Sequence, residues 1–218
     1  MIDATHWDRL RAMDPADVCR RSLATFDAAT GEYDLPLLSD RLRVSPERRS
    51  VAWACGERAA PLGGSPANVS PKPPGFHHWL VSVVYLIGAQ NRPAGGDWVQ
   101  ARMLPMGDFF FRGPHVLPTE PVAKAFGDRP EAFAQAARSL GGKAWPGEES
   151  GARMHGGLAF EMPALPRVPI LVQFWERDEE FPARAGFLLD HSACDHLAVD
   201  AIWSLTIIVA KRLVEEGS

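Results

Sequence analysis

The chain has 218 residues, 46% of them hydrophobic, which is enough to bury a substantial core in one large domain or two small ones. Its 23 basic and 27 acidic side chains give a net charge of -4, which disfavours nucleic acid or an anionic membrane as the main partner. No window approaches the ~20 apolar residues that cross a bilayer, and the N-terminus lacks a secretory pattern, so we expect a cytoplasmic protein.

The first predicted elements are a helix and a β-meander. Asp14 and Pro15 form a typical helix start, and apolar residues follow at helical spacing, which predicts a helix that ends near Ala29. Three short, partly alternating runs come next, separated by turn residues, at residues 33–38, 41–44 and 51–54. We expect Cys55 at the end of the third strand.

A proline- and glycine-rich stretch, residues 56–75, predicts a flexible loop inside a single domain that spans residues 1–218. The apolar run 77–88 that follows predicts a buried helix, because it is apolar nearly all round and ends in glycine. Cys19, Cys55 and Cys194 include no Cys-x-x-Cys pair, so reduced thiols are expected.

The middle of the chain predicts an aromatic segment and two helices. Residues 106–115 contain three consecutive phenylalanines between glycines and a proline, which indicates a loop or short strand pressed on the core. Capping and proline signals then predict one helix from Thr119 to near Gly127, and another from Pro130 that ends at Gly141.

The last third predicts strands near Leu158, at residues 170–175 and at residues 186–189, followed by a long apolar helix from Leu197. The acidic turn 178–182 joins the last two strands, a spacing that suits an antiparallel pair. We therefore expect an α+β fold with mainly antiparallel or mixed sheets and flanking helices.

One motif carries a family resemblance. The run Trp175-Glu-Arg-Asp-Glu-Glu-Phe-Pro182, with the strand from Pro166 before it and Phe187-Leu-Leu-Asp190 after it, resembles the uncharacterised prokaryotic family called domain of unknown function 3786. The likeness covers most of the chain. Some longer members carry a four-cysteine iron–sulfur module, which implies a link to corrinoid or redox metabolism. This chain lacks that module and has Val199 where the family pattern has an acidic residue.

The first candidate site is cationic and aromatic. Arg102, Arg112 and His115 surround the run Phe109–Phe111, a mixture typical of pockets that bind a carboxylate or phosphate group. The alternative is that the phenylalanines fill the core while Arg112 closes a surface ion pair.

The second candidate site is acidic. Glu176, Asp178, Glu179 and Glu180 could hold a divalent cation or supply an acid and a base. If the hairpin tip faces a pocket, alternation places Glu176 and Asp178 on the same strand face, with Asp190 across from them. The alternative is a solvated hairpin tip at a sheet edge.

The third candidate is a metal site. His191, Cys194 and His196 offer the imidazole and thiolate ligands that zinc or iron accepts, but Cys194 and His196 are two residues apart, and a helix that begins there would send them to different faces. The alternative is that Ser192 or Asp195 caps the terminal helix, with Cys194 buried and the histidines solvated.

Absent motifs narrow the function further. The sequence contains no Gly-x-Ser-x-Gly, His-Glu-x-x-His, Walker or Gly-x-Gly-x-x-Gly pattern, which argues against the common hydrolases, zincins, nucleotide triphosphatases and Rossmann oxidoreductases. We predict a small-molecule- or cofactor-binding module whose pocket is formed by the residues of the first two sites: Arg102, Arg112, His115, Glu176, Asp178 and Asp190.

Two alternatives stay open. One is a metal-assisted enzyme that uses the acidic turn, Asp190 and His191. The other is an accessory protein whose apolar C-terminal helix forms a homo-oligomer interface. The identity of any cofactor and the existence of an enzymatic activity are not decided by the sequence.

Overall fold

The computed structural model describes residues 3–54, 72–145 and 157–217, together with the backbone of residues 153–154. Its helices are α1 (Ala4–Ala12), α2 (Pro15–Ser22), α3 (Phe76–Gly88), α4 (Gly107–Phe110), α5 (Thr119–Phe126), α6 (Pro130–Ser139), α7 (Ala193–His196) and α8 (Val199–Glu216). Its strands are β1 (Thr25–Asp27), β2 (Glu32–Leu37), β3 (Asp40–Ser45), β4 (Ser50–Trp53), β5 (Trp98–Gln100), β6 (Lys143–Ala144), β7 (Arg153–Met154), β8 (Gly157–Leu165), β9 (Val168–Trp175) and β10 (Arg184–Asp190). The predicted position of Cys55, and the predicted loop up to residue 71, lie outside the described residues.

The predicted helix start at Asp14 is confirmed, but the predicted end near Ala29 is wrong. The Asp14 side chain accepts the N–H of Ala16 at 3.1 Å, and α2 ends at Ser22. Leu23 then adopts a left-handed conformation with φ 59°, and the Ser22 hydroxyl bonds the carbonyl of Val18, which closes the helix. The chain can therefore enter β1 directly.

The predicted β-meander is confirmed and gains one strand. Its sheet has the antiparallel order β1-β2-β3-β4. Tyr33, Leu35 and Leu37 alternate with partly exposed residues along β2, so one face of the sheet is buried and the other faces outward.

The second sheet has the antiparallel order β5-β10-β9-β8-β6, with β7 also paired to β8. Gly186 on β10 lies opposite Gln173 on β9, and Leu188 lies opposite Gln100 on β5. The two sheets are separate, but the N–H of Leu38 in the meander donates to the carbonyl of Pro163 at 3.1 Å. The expected α+β class with antiparallel sheets is confirmed.

The core lies between the second sheet and the helices. The most extensive helix contacts join α8 to α3, and α8 also packs on α5 and α6 of its own chain. Most of its apolar residues from Ala201 to Leu213 are buried there, although Trp203 and Ile207 are only half-buried. The homo-oligomer interface expected on this helix stays a prediction. None of the described helices is long and apolar enough to span a membrane.

Candidate functional site

A cavity of about 370 Å³ lies at one edge of the second sheet, and we call it the edge cavity. β5 pairs only with Leu188–Asp190 of β10, so the remaining half of β10 has no neighbouring strand on that side among the described elements. The chain that leaves β5 and later returns to α5 forms the opposite wall. The lining residues are Gln100, Ala101, Arg102, Phe111, His115, Val116, Leu117, Thr119, Gln173, Gly186, Phe187 and Leu188.

The wall after β5 folds tightly around Gly107. A β-carbon added to Gly107 would come within 2.1 Å of the carbonyl oxygen of Ala101, and Met106 just before it adopts a left-handed φ of 62°. These contacts bend the chain through a 3-10 turn into α4. Of the predicted loop or short strand at residues 106–115, the strand is not formed: Gly107–Phe110 make the short helix α4, and residues 111–115 are turns and loop.

The three phenylalanines of this wall have three different environments. Phe111 is buried and lines the edge cavity, whereas Phe109 is 81% exposed, so the part of the alternative in which all three phenylalanines fill the core is wrong. Phe110 stacks on the ring of His115 with a centroid distance of 4.0 Å. His115 in turn meets the edge of Trp203 on α8 at 5.1 Å, and these two rings hold the imidazole in the cavity wall.

The two predicted arginines differ in their partners. Arg112 is exposed and bonds both carboxylate oxygens of Asp108, at 3.1 and 2.5 Å, one helical turn earlier. Arg102 lines the edge cavity and forms no hydrogen bond or ion pair with any residue that the structure describes. The structure thus brings Arg102 and His115 together and places Arg112 outside the lining.

Sequence reasoning missed Gln173, which is the most buried polar residue of the cavity wall. Its side chain is 6% exposed, and it hydrogen bonds to none of the described residues. The signal was present in the sequence, because Gln173 is the one polar residue of the apolar strand β9. A polar residue buried in such a run requires a partner or water.

The structure places the acidic residues Glu176 and Asp178 in a different cavity, of about 240 Å³, at the end of the β9–β10 hairpin. Among the described residues, the two cavities share no lining residue. The Asp178 carboxylate accepts the N–H groups of Glu180 and Phe181 at 2.9 and 2.7 Å, so it shapes the turn of the hairpin.

Asp190 lies in neither cavity. It is fully buried, and its carboxylate accepts the N–H groups of Gly95, Gly96 and Ser192 and the hydroxyl of Ser192. Burial acts to raise the pKa of Asp190, but the hydrogen bonds from Ser192, Gly96 and Gly95 together outweigh it and hold the pKa below its usual value. Asp190 therefore organises the loop before β5.

The candidate metal ligands after β10 do not converge. His191 is exposed and Cys194 is half-buried, whereas His196 is buried and accepts the N–H of Gln90 on Nδ1 at 3.2 Å. Burial lowers the pKa of His196, so its ring is neutral at pH 7. No group of three or more potential metal-binding side chains occurs in the described ranges.

The capping alternative at this corner is wrong. α8 begins at Val199 after Ala198, without a side-chain cap from Ser192 or Asp195. The Ser192 hydroxyl donates to Asp190 instead, and Asp195 forms an ion pair with Arg92 at 2.6 Å.

A larger cavity of about 700 Å³ lies between the start of α3 and the end of α8, and we call it the α3–α8 cavity. It contains His77, His78 and Arg212. Arg212 is already paired with Asp40, Glu215 and Glu216. Its positive charge is therefore less available to a ligand in this cavity.

Similarity to known proteins identifies the family of this chain. Residues 14–212 match the family model described as "Domain of unknown function (DUF3786)". The chain belongs to this family. The resemblance predicted from the motif at Trp175–Pro182 is thereby confirmed, and DUF3786 covers both sheets and every residue of the edge cavity. No curated protein and no solved structure matches the chain.

Proposed function

We propose that this chain binds a small organic anion in the edge cavity, with Arg102 as the residue that receives the carboxylate or phosphate group. The observation that carries the proposal is the contrast between two arginines ten residues apart in the sequence. Arg112 is neutralised by Asp108, whereas Arg102 has no acidic partner among the described residues and lines a cavity. An unpaired guanidinium beside a cavity is suited to an anion, because its planar donors match carboxylate and phosphate oxygens.

The rest of the lining supports a ligand with an apolar body. Phe111, Leu117 and Phe187 supply apolar surface, and His115 adds a ring that can donate or accept a hydrogen bond. This combination of an apolar wall and a few polar groups is typical of metabolite sites.

The volume of the cavity limits the size of the ligand. About 370 Å³ is near the lower end of the range for ligand pockets, roughly 300–1,000 Å³, so it suits a metabolite better than an enclosed tetrapyrrole. The link to corrinoid or redox metabolism stays a prediction from the family resemblance. An absorbance spectrum of protein purified from its native cells tests it.

The test uses two simple probes, benzoate and phenyl phosphate, with binding followed by calorimetry and ligand-observed NMR. Arg102→Gln is expected to weaken the binding of the better probe by about tenfold, since a hydrogen-bonded charge contributes roughly 1.5 kcal/mol at a partly exposed site. Arg112→Gln is the matched control, because it removes the same charge ten residues away without altering the cavity lining.

The same measurements on the two variants could also contradict the proposal. Equal loss of affinity in Arg102→Gln and Arg112→Gln would show a general effect of charge rather than a site. Binding that neither substitution changes, or no binding of either probe, would overturn the proposal.

A further inference from the structure

Gln173 occupies an unusual position for a polar side chain. β9 is otherwise apolar and mostly buried, and the residues on either side of Gln173, which are Val172 and Phe174, point into the core. The side chain of Gln173 points to the opposite face, where it lines the edge cavity and forms no hydrogen bond with a described residue. A primary amide carries two donors and one acceptor, so this wall presents both kinds of hydrogen-bonding group to whatever fills the cavity.

Gly186 keeps this amide uncovered. It lies directly opposite Gln173 on β10, and a β-carbon at residue 186 would lie 3.3 Å from Oε1 of Gln173 and 3.4 Å from the ring of Trp175. Since Gly186 does not have a positive φ, its backbone does not require glycine. The missing side chain instead leaves space in front of the amide.

The cavity therefore has two chemically different ends. Arg102 is exposed and marks the rim, whereas Gln173 is buried and forms the inner wall. Gln100, near the rim, and Gln173 are separated by two strand spacings and by two residues along β10, so their Cα atoms are about 12 Å apart. A six-membered ring with substituents at opposite ends can bridge a distance of this order between the side chain of Gln173 and a long side chain at the rim, such as that of Arg102.

We propose that Gln173 is a specificity-determining residue of this site, and that the ligand is a ring-sized organic anion with an uncharged hydrogen-bonding group, such as an amide, opposite its charge. This inference rests on the proposed function and specifies its ligand class. Arg102 receives the charge and Gln173 pairs with the neutral group. The inner wall disfavours a second negative charge, because the buried amide cannot neutralise it.

The inference is tested with three probes that share one ring: benzoate, 4-carbamoylbenzoate and terephthalate. Calorimetry on the wild-type protein is expected to show that 4-carbamoylbenzoate binds about five- to tenfold more tightly than benzoate, since one neutral hydrogen bond typically contributes that factor. Terephthalate, with a carboxylate in place of the amide, is expected to bind no better than benzoate.

Two substitutions locate the preference. Gln173→Leu keeps the approximate size of the side chain and is expected to abolish the advantage of 4-carbamoylbenzoate while benzoate binding persists. Gly186→Ala is expected to reduce the same advantage without removing the amide, because the added methyl group presses on Oε1. If Gln173→Leu fails to fold, the Gly186→Ala variant decides the question.

The outcomes separate this inference from the proposed function. Arg102-dependent binding of benzoate with no preference for the amide probe would overturn the role of Gln173 and leave the anion site intact. A preference that survives both Gln173→Leu and Gly186→Ala would also overturn it. Loss of all probe binding from the wild-type protein would overturn the proposed function, and the inference with it.

Discussion

The carboxylate of Asp190 accepts the backbone N–H of Gly96 at 2.6 Å, and this bond ties the end of β10 to the loop that leads into β5. The N–H of His191 reinforces the tie by donating to the carbonyl of Asp97 at 2.8 Å. Because β5 runs directly into the turn that carries Arg102, Asp190 positions one wall of the edge cavity without contacting it.

Asp190→Asn is expected to destabilise the protein by about 2 kcal/mol, because an amide must turn its NH₂ group toward one of the backbone N–H donors. Urea denaturation measures this loss. The folded-state pKa of Asp190 is lowered, so the carboxylate stabilises the fold above pH ~4, and the difference between the proteins shrinks as the pH falls further. Asp195→Asn, which breaks only the exposed pair with Arg92, is the control and should cost less than about 1 kcal/mol.

His78 is expected to make stability depend on pH. Its Nδ1 accepts the N–H of Gly75 at 3.3 Å, and burial, with help from His77, Lys211 and Arg212, lowers its pKa to about 4. The unfolded chain binds this proton near pH 6.5 and the folded chain does not, so stability falls as the pH drops from 6.5 toward 4. The slope from one proton is at most about 1.4 kcal/mol per pH unit.

His78→Gln keeps a hydrogen-bond acceptor at the third helical position and removes the titrating group. Denaturation between pH 4.5 and 8 should show a shallower slope for this variant. The slope should not vanish, because burial also lowers the pKa of His196. An unchanged slope in His78→Gln would refute the assignment.

Gly107 is expected to be essential for the wall that carries Arg102. Gly107→Ala places a methyl group against the carbonyl of Ala101 and should destabilise the protein by about 2 kcal/mol or more. The matched control is Gly113→Ala, since no described atom lies within 4 Å of a β-carbon there. Thermal unfolding compares the two, and equal melting temperatures would show that this wall is more adaptable than its geometry indicates.

Arg212 joins the terminal helix to the meander. Its side chain is 6% exposed and lies 2.9 Å from Asp40 at the start of β3. Arg212→Leu leaves Asp40 without this cation in a partly buried site, so a loss of about 3 kcal/mol is expected. Arg177→Leu, which breaks an exposed pair with Asp128, should change stability little.

The same denaturation curves test the prediction of a single domain. One cooperative transition for both sheets, shifted as a whole by Arg212→Leu, is the expected result. Two separate transitions, of which only one responds to the substitution, would contradict it.

Local sequence signals were sufficient to predict much of the fold. Partial alternation of apolar residues at Tyr33, Leu35 and Leu37 predicted a strand, and the apolar run that became α3 was long enough to favour a helix over a strand. The acidic turn between β9 and β10 likewise predicted an antiparallel pair, because a short polar connection cannot join parallel strands.

The candidate site was harder to predict because its geometry is non-local. The role of Gln173 depends on Gly186 across the ladder and on the point where β5 ends, neither of which periodicity encodes. Phe109 and Phe111 are two residues apart in the sequence, yet the turn around Gly107 exposes the first and buries the second. Composition alone could not predict which of these two phenylalanines is buried.

The most direct test of the anion site is a ¹H–¹⁵N NMR titration of the wild-type protein with 4-carbamoylbenzoate. We predict that the largest saturable shift changes fall on the backbone of Arg102 and Gly186 and on the side-chain amide of Gln173. Changes centred on Trp53 and His77, which line the α3–α8 cavity, or no saturable change at all, would contradict the account.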